Sequence, residues 1–370
     1  MIKSEVVKHI ESWAPKEIAW SKDNVGLQVG SLKGRIRNIL LCLETTKYVV
    51  NEAIKNNCNL IISHHPLVFK PLLKIDTSES TNSIIIRELI KNDITLYSAH
   101  TNLDFTKDGV SFKLAKKLKL QNIRFLSLLY SNQVKITIFV PESHIEAVSK
   151  SIFSAGGGII GEYSDCSFRI KGTGTFRGSA ASNPVIGKKN NFEKVTEIRL
   201  EILAYEWKVN EIISAIKKAH PYEEVAFDIY PLRNENVNFG AGAIGILNKK
   251  MTEKEFLKYV HTNLKTKVLK YTAGKGNLIE TVAVCGGSGS DLLSLAINNN
   301  ADAFITGDIK YHTFQDAAEK IMLIDAGHYE TEIHVLDEVK KRIEKILPDK
   351  NAIKVLKYSK STNPVKFYNN

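Results

Sequence analysis

The sequence predicts an α/β protein in which one α/β domain, residues 1–127 and 234–370, is split by an α+β insert of ferredoxin-like order over residues 128–233. Three observations predict it. Short, continuously apolar runs alternate with stretches of helical spacing in the first third, as in a parallel sheet buried on both faces. Near Ser127 the pattern changes to alternating strands punctuated by glycine. After about Asn234 the first rhythm resumes.

Along the first segment, Val6, Val7, Ile10 and Trp13 share one face of a helix over residues 3–13. Residues 37–43 (RNILLCL) and 59–63 (NLIIS) read as buried strands, with a helix over 47–57 between them. A helix over 80–92 and a strand over 94–98 follow. In the insert, 134–141 (VKITIFVP) alternates as a strand does, and Ser143 with Glu146 has the spacing of a capping box for a helix reaching about residue 155. Residues 156–178 are rich in glycine and strand formers; then come a strand (196–204), a helix (207–219) and a strand (225–231). Two βαβ-like halves in this order give the ferredoxin-like expectation. In the last segment, strands are expected at 280–285, 303–306 and 321–325, with helices at 291–298, around 316–320 and at 332–347.

A chain of 370 residues has room for two or three domains, and 43% hydrophobic with 25% charged residues is a globular composition. No apolar run approaches the roughly 20 residues that cross a bilayer. The N-terminus lacks a signal-peptide core, so the expectation is a cytoplasmic protein without membrane contact. Cys42, Cys58, Cys166 and Cys285 are far apart, which excludes a C-x-x-C zinc finger and a disulfide framework. The formal charge of +11 invites nucleic acid as a partner, but residues 339–370 alone hold nine basic against two acidic residues. No RNP, KH or helix-turn-helix signature accompanies the charge, so nucleic acid is not expected as a partner.

Histidine placement carries the chemistry. His64 and His65 follow directly on the strand NLIIS, where ligands of open α/β sheets bind. Adjacent histidines on extended backbone point to opposite sides, so they could serve two ions or flank one; alone, they also read as a surface pair before Pro66. The next strand ends in AHTNLD, with His100 and Asp104 able to ligate or orient a metal, or simply to form a turn. Thr101 and Asn102 are positioned to hydrogen-bond such ligands. The strand ending in LID is followed by AGHYETE, with His328 and Glu332 at i, i+4. Together His64, His65, Asp104, His328 and Glu332 suit two divalent ions, zinc foremost, with manganese or iron also accepted. Asp308, Lys310 and His312 follow another strand end, and the turn CGGSGSD (285–291) could cradle phosphate with backbone N–H groups although it lacks the P-loop lysine.

These strings resemble the GTP cyclohydrolase 1 type 2 homologues, the NIF-three-like or dinuclear-metal-centre family. The matching stretches are APKEIAWSKDNVGLQVG (14–30), SHHPLVFKPL (63–72), AHTNLD (99–104), CGGSGSDLL (285–293), ADAFITGDIKYH (301–312) and LIDAGHYETE (323–332). The resemblance implies that His64, His65, Asp104, His328 and Glu332 hold two divalent metal ions, with Glu332 bridging. It implies a P-II/CutA-like insert over residues 128–233, carrying GTGTFRG (172–178) and HPYEEVAFDIYPL (220–232), and a ring-shaped homohexamer. One departure is Glu44 in LCLETT, where Asp is usual; it is expected to leave the ligands untouched. The activity implied is hydrolytic: metal-activated hydroxide attacks the imidazole ring of guanine in GTP and formate is released. His100 or His312 would carry protons, while Lys310, Gly287 and Ser288 would meet the triphosphate. The competing expectation is a metal-binding regulatory or assembly protein without that activity, in which His220, Glu223 and Glu224 form a further metal-site candidate.

Overall fold

The computed structural model describes all residues except Glu79, Ser131, Asn277, Lys350, Asn351, Asn369 and Asn370. The strands in chain order are β1 (Gly26–Val29), β2 (Asn38–Cys42), β3 (Cys58–Ser63), β4 (Thr95–Ser98), β5 (Gln121–Tyr130), β6 (Gln133–Pro141), β7 (Phe168–Arg177), β8 (Phe192–Tyr205) and β9 (Phe227–Pro231). They continue with β10 (Glu235–Met251), β11 (Lys270–Thr272), β12 (Ile279–Ser288), β13 (Ala303–Gly307), β14 (Met322–Asp325) and β15 (Val355–Lys357). The chain divides into two units, Met1–Ser127 with Phe239–Asn370, and Leu128–Asn238. Among the described residues no helix is long and apolar enough to cross a membrane.

The first unit contains two mixed sheets. One has the order β1-β4-β3-β2-β15, with β4, β3, β2 and β15 mutually parallel and β1 antiparallel at the edge. Successive residues of a strand face opposite sides, and both sides are covered here. Ile39, Leu41, Leu60 and Ile62 pack on Val6, Ile10, Val339 and Ile343, whereas Leu40, Ile61 and Leu96 pack on Val49, Val50, Ile85 and Leu89. That double cover is why β2 and β3 are almost unbroken apolar runs. The other sheet has the order β11-β14-β13-β12-β10-β5, with β12, β13 and β14 parallel. Ala283, Phe304 and Leu323 pack there against Ala296 and Ala317.

The second unit is one antiparallel sheet in the order β7-β8-β6-β9, with a helix (Ile145–Ser154) between β6 and β7 and another (Val209–Ala219) between β8 and β9. Ile136, Ile138, Leu200 and Ile202 meet Val148, Ile152, Ile212 and Ile216 of the helices in its core.

Several local expectations need correction. The capping box at Ser143 and Glu146 does not form: a 3-10 turn, Glu142–His144, enters the helix first, Ser143 Oγ pairs with His144 Nδ1 at 2.9 Å, and Glu146 pairs with Arg169. Strand structure in 156–178 begins only at Phe168, because Gly156 and Gly158 turn the chain with φ of 96° and 76°. The helix expected around 316–320 is Tyr311–Ala317, and Glu319 at φ 63° lies beyond its end. The helix expected over 332–347 is two helices, His328–Glu332 and Val335–Ile346.

Candidate metal centre

The carboxyl ends of β3 and β4 in one sheet, and of β12, β13 and β14 in the other, bring their following residues to one place within the first unit. His64 is buried, and its Nδ1 donates to the Ala99 carbonyl at 2.9 Å. Its Nε2 therefore faces inward, 3.6 Å from Asp104 Oδ1 and 3.7 Å from Glu332 Oε1. His65 is anchored through Nδ1 on Glu44 Oε1 at 3.2 Å, leaving Nε2 at 3.2 Å from Glu332 Oε2 and 3.3 Å from His328 Nε2. His328 meets Asp308 Oδ2 through Nδ1 at 2.6 Å and presents Nε2 to Glu332 Oε1 at 3.0 Å. His100 is held through Nδ1 by Asp23 Oδ1 at 2.9 Å, and its ring centre lies 5.3 Å from those of both His64 and His65.

One rule runs through these contacts: Nδ1 is fixed by a carbonyl or carboxylate, and Nε2 is turned toward the cluster. That is how metal-ligating histidines are commonly held. Ligand atoms of His64, His65 and His100 lie within 4.8 Å of one another, as do those of His65, His328 and Glu332. His64 Nε2, Asp104 Oδ1 and Glu332 Oε2 are buried without hydrogen-bond partners. Buried polar atoms of this kind are costly unless something else satisfies them. Imidazole and carboxylate together suit a divalent transition ion.

Electrostatics tell the same story. Burial pushes the His64 pKa down, against the pull of Glu332. Burial would also raise Glu332, yet His64, His328 and His65 hold its carboxyl well below the usual range. Asp104 is driven the other way, by burial and by the charge of Glu332. Burial opposes charge on His65 and His328, but Glu332 with Glu44 takes the first to about 10, and Glu332 with Asp308 takes the second to about 9. Ligands must be deprotonated to bind metal, so a cation and these protons compete for the same nitrogens.

The backbone leaves room for this crowding. A Cβ on Gly287, whose φ is 63°, would lie 2.2 Å from Glu332 Oε1, and one on Gly307 would lie 2.9 Å from His328 N. Gly287 thus borders the cluster. Ser288 and Lys310 are exposed, and His312 is exposed with its Nδ1 on Gln315 at 3.2 Å, outside the gathered group. Thr101 donates to Asp23 and Asn102 Nδ2 donates to the Ala14 carbonyl at 2.7 Å, so both brace the loop that carries His100 and Asp104. The expectation that Glu44 leaves the ligands untouched is corrected by its contact with His65. His220 makes no metal site with Glu223 and Glu224: its Nε2 meets the Phe139 carbonyl at 3.0 Å and its Nδ1 accepts from Tyr222 N at 3.1 Å.

Two partners were not singled out from the sequence. Asp23 sits in a loop before β1, and only its place in the quoted string APKEIAWSKDNVGLQVG marks it. Thr362, near the C-terminus, donates through its hydroxyl to Glu44 Oε2, completing a relay from Thr362 through Glu44 to His65. Nothing in the sequence around Thr362 signals that reach.

A family model described as Duf34/NIF3 (NGG1p interacting factor 3) matches residues 1–364. The chain belongs to the Duf34/NIF3 family. Among curated relatives bearing the name GTP cyclohydrolase 1 type 2 homolog, one from Halalkalibacterium halodurans is 38% identical over 365 residues, 98% of each chain. Another, from Bacillus subtilis, is 34% identical over 366 residues, again 98% of each. A solved Bacillus cereus protein related to NIF3 aligns with a TM-score of 0.84 at 36% identity, covering 100% of this chain and 99% of that one. A Staphylococcus aureus protein aligns with a TM-score of 0.77 at 28% identity, with the same coverage. The family resemblance carried by the sequence strings is therefore correct, and the mixed α/β architecture is the Duf34/NIF3 one.

Proposed function

We propose that the cluster holds two divalent cations and that the protein is a metal-dependent hydrolase acting on a guanine nucleotide in the manner of a GTP cyclohydrolase. The observation that carries the reading is the crowding of ligand atoms, those of His64, His65 and His100 and those of His65, His328 and Glu332 each within 4.8 Å of one another, with His64 Nε2 and Asp104 Oδ1 buried beside them without hydrogen-bond partners. His64, His65, Asp104, His328 and Glu332 would hold the ions, with Glu332 between them because its two oxygens face different histidines. Bound divalent ions supply Lewis acidity and an ionised water at neutral pH. The chain's own residues do the rest. Glu44, Asp308 and the Ala99 carbonyl fix three imidazoles by their Nδ1 atoms, so their Nε2 atoms need little reorganisation. His100, braced by Asp23 through Nδ1, stands at the edge of the cluster as the proton carrier, a role better placed there than at exposed His312. The backbone at Gly287 with Ser288 and Lys310 is the side of the site left for a phosphate chain.

Opening of the guanine imidazole ring with loss of formate is the reaction in this reading, supported by the names of the curated relatives. Incubating zinc-, manganese- or iron-loaded protein with GTP and following formate tests it. Turnover that disappears in His65→Ala supports the hydrolase; absence of formate with all three metals contradicts it. The second unit belongs to the same reading as a ferredoxin-like, P-II/CutA-like insert, supported by its strand order and its two helices on one face. So do a ring-shaped homohexamer, which light scattering would test, and a cytoplasmic setting, which the four free cysteines fit.

A regulatory protein without cyclohydrolase activity is the second reading. It is favoured by the separate cavity of about 740 Å³ in the second unit, and metal uptake without formate release would select it.

A further inference from the structure

The second unit carries a feature that no metal chemistry uses. One face of its sheet is covered by the two helices; the opposite face floors a cavity of about 740 Å³. Ile170, Gly172, Gly174 and Phe176 alternate along β7 toward that cavity, and Glu197 of β8, paired with Gly172, lies among them. The segment 178–186 and residues 222–226 form the remaining walls, and Asn183 N, donating to Glu223 Oε2 at 2.9 Å, ties one wall to the other. The volume is that of an ordinary small-molecule pocket.

The charged groups that line it are unevenly matched. Glu197 is 92% buried, being only 8% exposed, and no Lys, Arg or His pairs with it at salt-bridge distance among the described residues. The basic groups of the cavity are engaged elsewhere: Arg199 Nη2 pairs with Glu201 Oε1 at 3.0 Å, and Arg177 Nη1 donates to the Asn190 carbonyl at 2.8 Å. Burial, then hydrogen bonding to Glu197 and the charge of that carboxylate, push the Tyr222 pKa up, so its hydroxyl stands beside Glu197 in the cavity. A Cβ on Gly174 would fall 1.9 Å from Glu197 Oε2, so the carboxylate rests directly on the strand backbone where only glycine leaves room. Gly172 is the opposite case, with nothing within 4 Å of its would-be Cβ, because it opens onto the cavity. The motif GTGTFRG therefore shapes the floor of a pocket around one buried anion.

We propose that this cavity is a binding site for a small organic cation, an amine, amidine or guanidine on an apolar or aromatic body, received by Glu197 and Tyr222 between Ile170 and Phe176. A buried carboxylate without a counter-charge costs stability that a cationic ligand recovers. The aromatic and aliphatic walls supply the area that holds the body of the ligand. This site is independent of the metal reading.

The test uses the full chain and three probes, benzamidine, phenethylamine and tryptamine, with neutral benzamide as the control, read by calorimetry and ligand-observed NMR. At least one cationic probe should bind saturably, with benzamide about tenfold or more weaker. Glu197→Gln keeps the shape and should erase that preference. Gly172→Leu should fill the cavity and abolish binding while leaving Tm and divalent-metal uptake unchanged, which separates a blocked site from a misfolded protein. Equal binding of benzamide and benzamidine, full retention of binding in Glu197→Gln, or no saturable binding by any of the three cations would overturn the proposal.

Discussion

The strand-end cluster of the first unit and the sheet-face cavity of the second solve opposite problems. In the first, four histidines and two carboxylates crowd together with their Nδ1 atoms already engaged, and the charges on His65, His328 and Glu332 depend on one another. In the second, one buried carboxylate, Glu197, lies in a large, mostly apolar space whose arginines are paired elsewhere. The difference teaches how each should respond to change. The cluster should be intolerant, because Glu332 contacts three histidines whose Nδ1 atoms are already fixed. The cavity should tolerate anything that only fills space.

Removing Glu332 is expected to have the largest effect. It contacts His64, His65 and His328, so Glu332→Ala leaves imidazoles facing one another with no anion between them. Its loss should cost about 3 kcal/mol or more of stability, as breaking a buried charge network does. It should also abolish the stabilisation on adding zinc, which for the intact protein at a hundredfold excess over Kd is about 2.7 kcal/mol. Calorimetry with and without zinc checks both; an undiminished zinc effect in the variant would break the contrast between the two regions.

A pair of glycine substitutions sharpens it. Gly287→Ala places a Cβ against Glu332 at a backbone with φ 63°, so it should lose about 1–2 kcal/mol from the backbone alone and weaken zinc binding as well. Gly172→Ala meets open space and should change stability by no more than about 0.5 kcal/mol. Equal effects in thermal unfolding would mean that the cluster is no more constrained than the cavity.

Asp23 gives a pH signature. Burial alone would raise its pKa, but hydrogen bonds from His100 and Thr101 hold it at about 2, below the ordinary aspartate value of 3.8. Its folded-state value is the lower one, so its contribution is fully present above about 4 and fades as pH falls toward 2. Asp23→Asn should cost about 2 kcal/mol at pH 7, and the difference from wild type should vanish near pH 2. Urea titrations at the two pH values measure it.

The smallest expected effect is at the C-terminus. Thr362→Val removes the hydroxyl that donates to Glu44, the carboxylate holding His65. It should cost about 1 kcal/mol or less and weaken zinc binding a few-fold. Unchanged zinc affinity in a direct titration would remove Thr362 from the relay.

How far the sequence reached follows the same division. His64, His65 and His328 were legible because each follows a strand buried on both faces, and such strands announce themselves as unbroken apolar runs. Asp23 and Thr362 were not, because they lie outside helices and strands and reach the cluster only through tertiary placement. The break between Glu332 and Val335 escaped for a different reason. Ile333 and His334 fit a continuous helical spacing, and neither glycine nor proline marks the interruption. In the second unit the order of elements was readable from alternation. The cavity was not, since its walls are irregular segments and its floor depends on which glycines face inward.

The central claim is that the cluster is a metal site, and elemental analysis after dialysis against zinc tests it most directly. Wild-type protein should retain two zinc ions per chain, with His65→Ala and Glu332→Ala each retaining markedly fewer while remaining folded by circular dichroism. Retention of no zinc by the wild type, or equal retention by all three proteins, would contradict it.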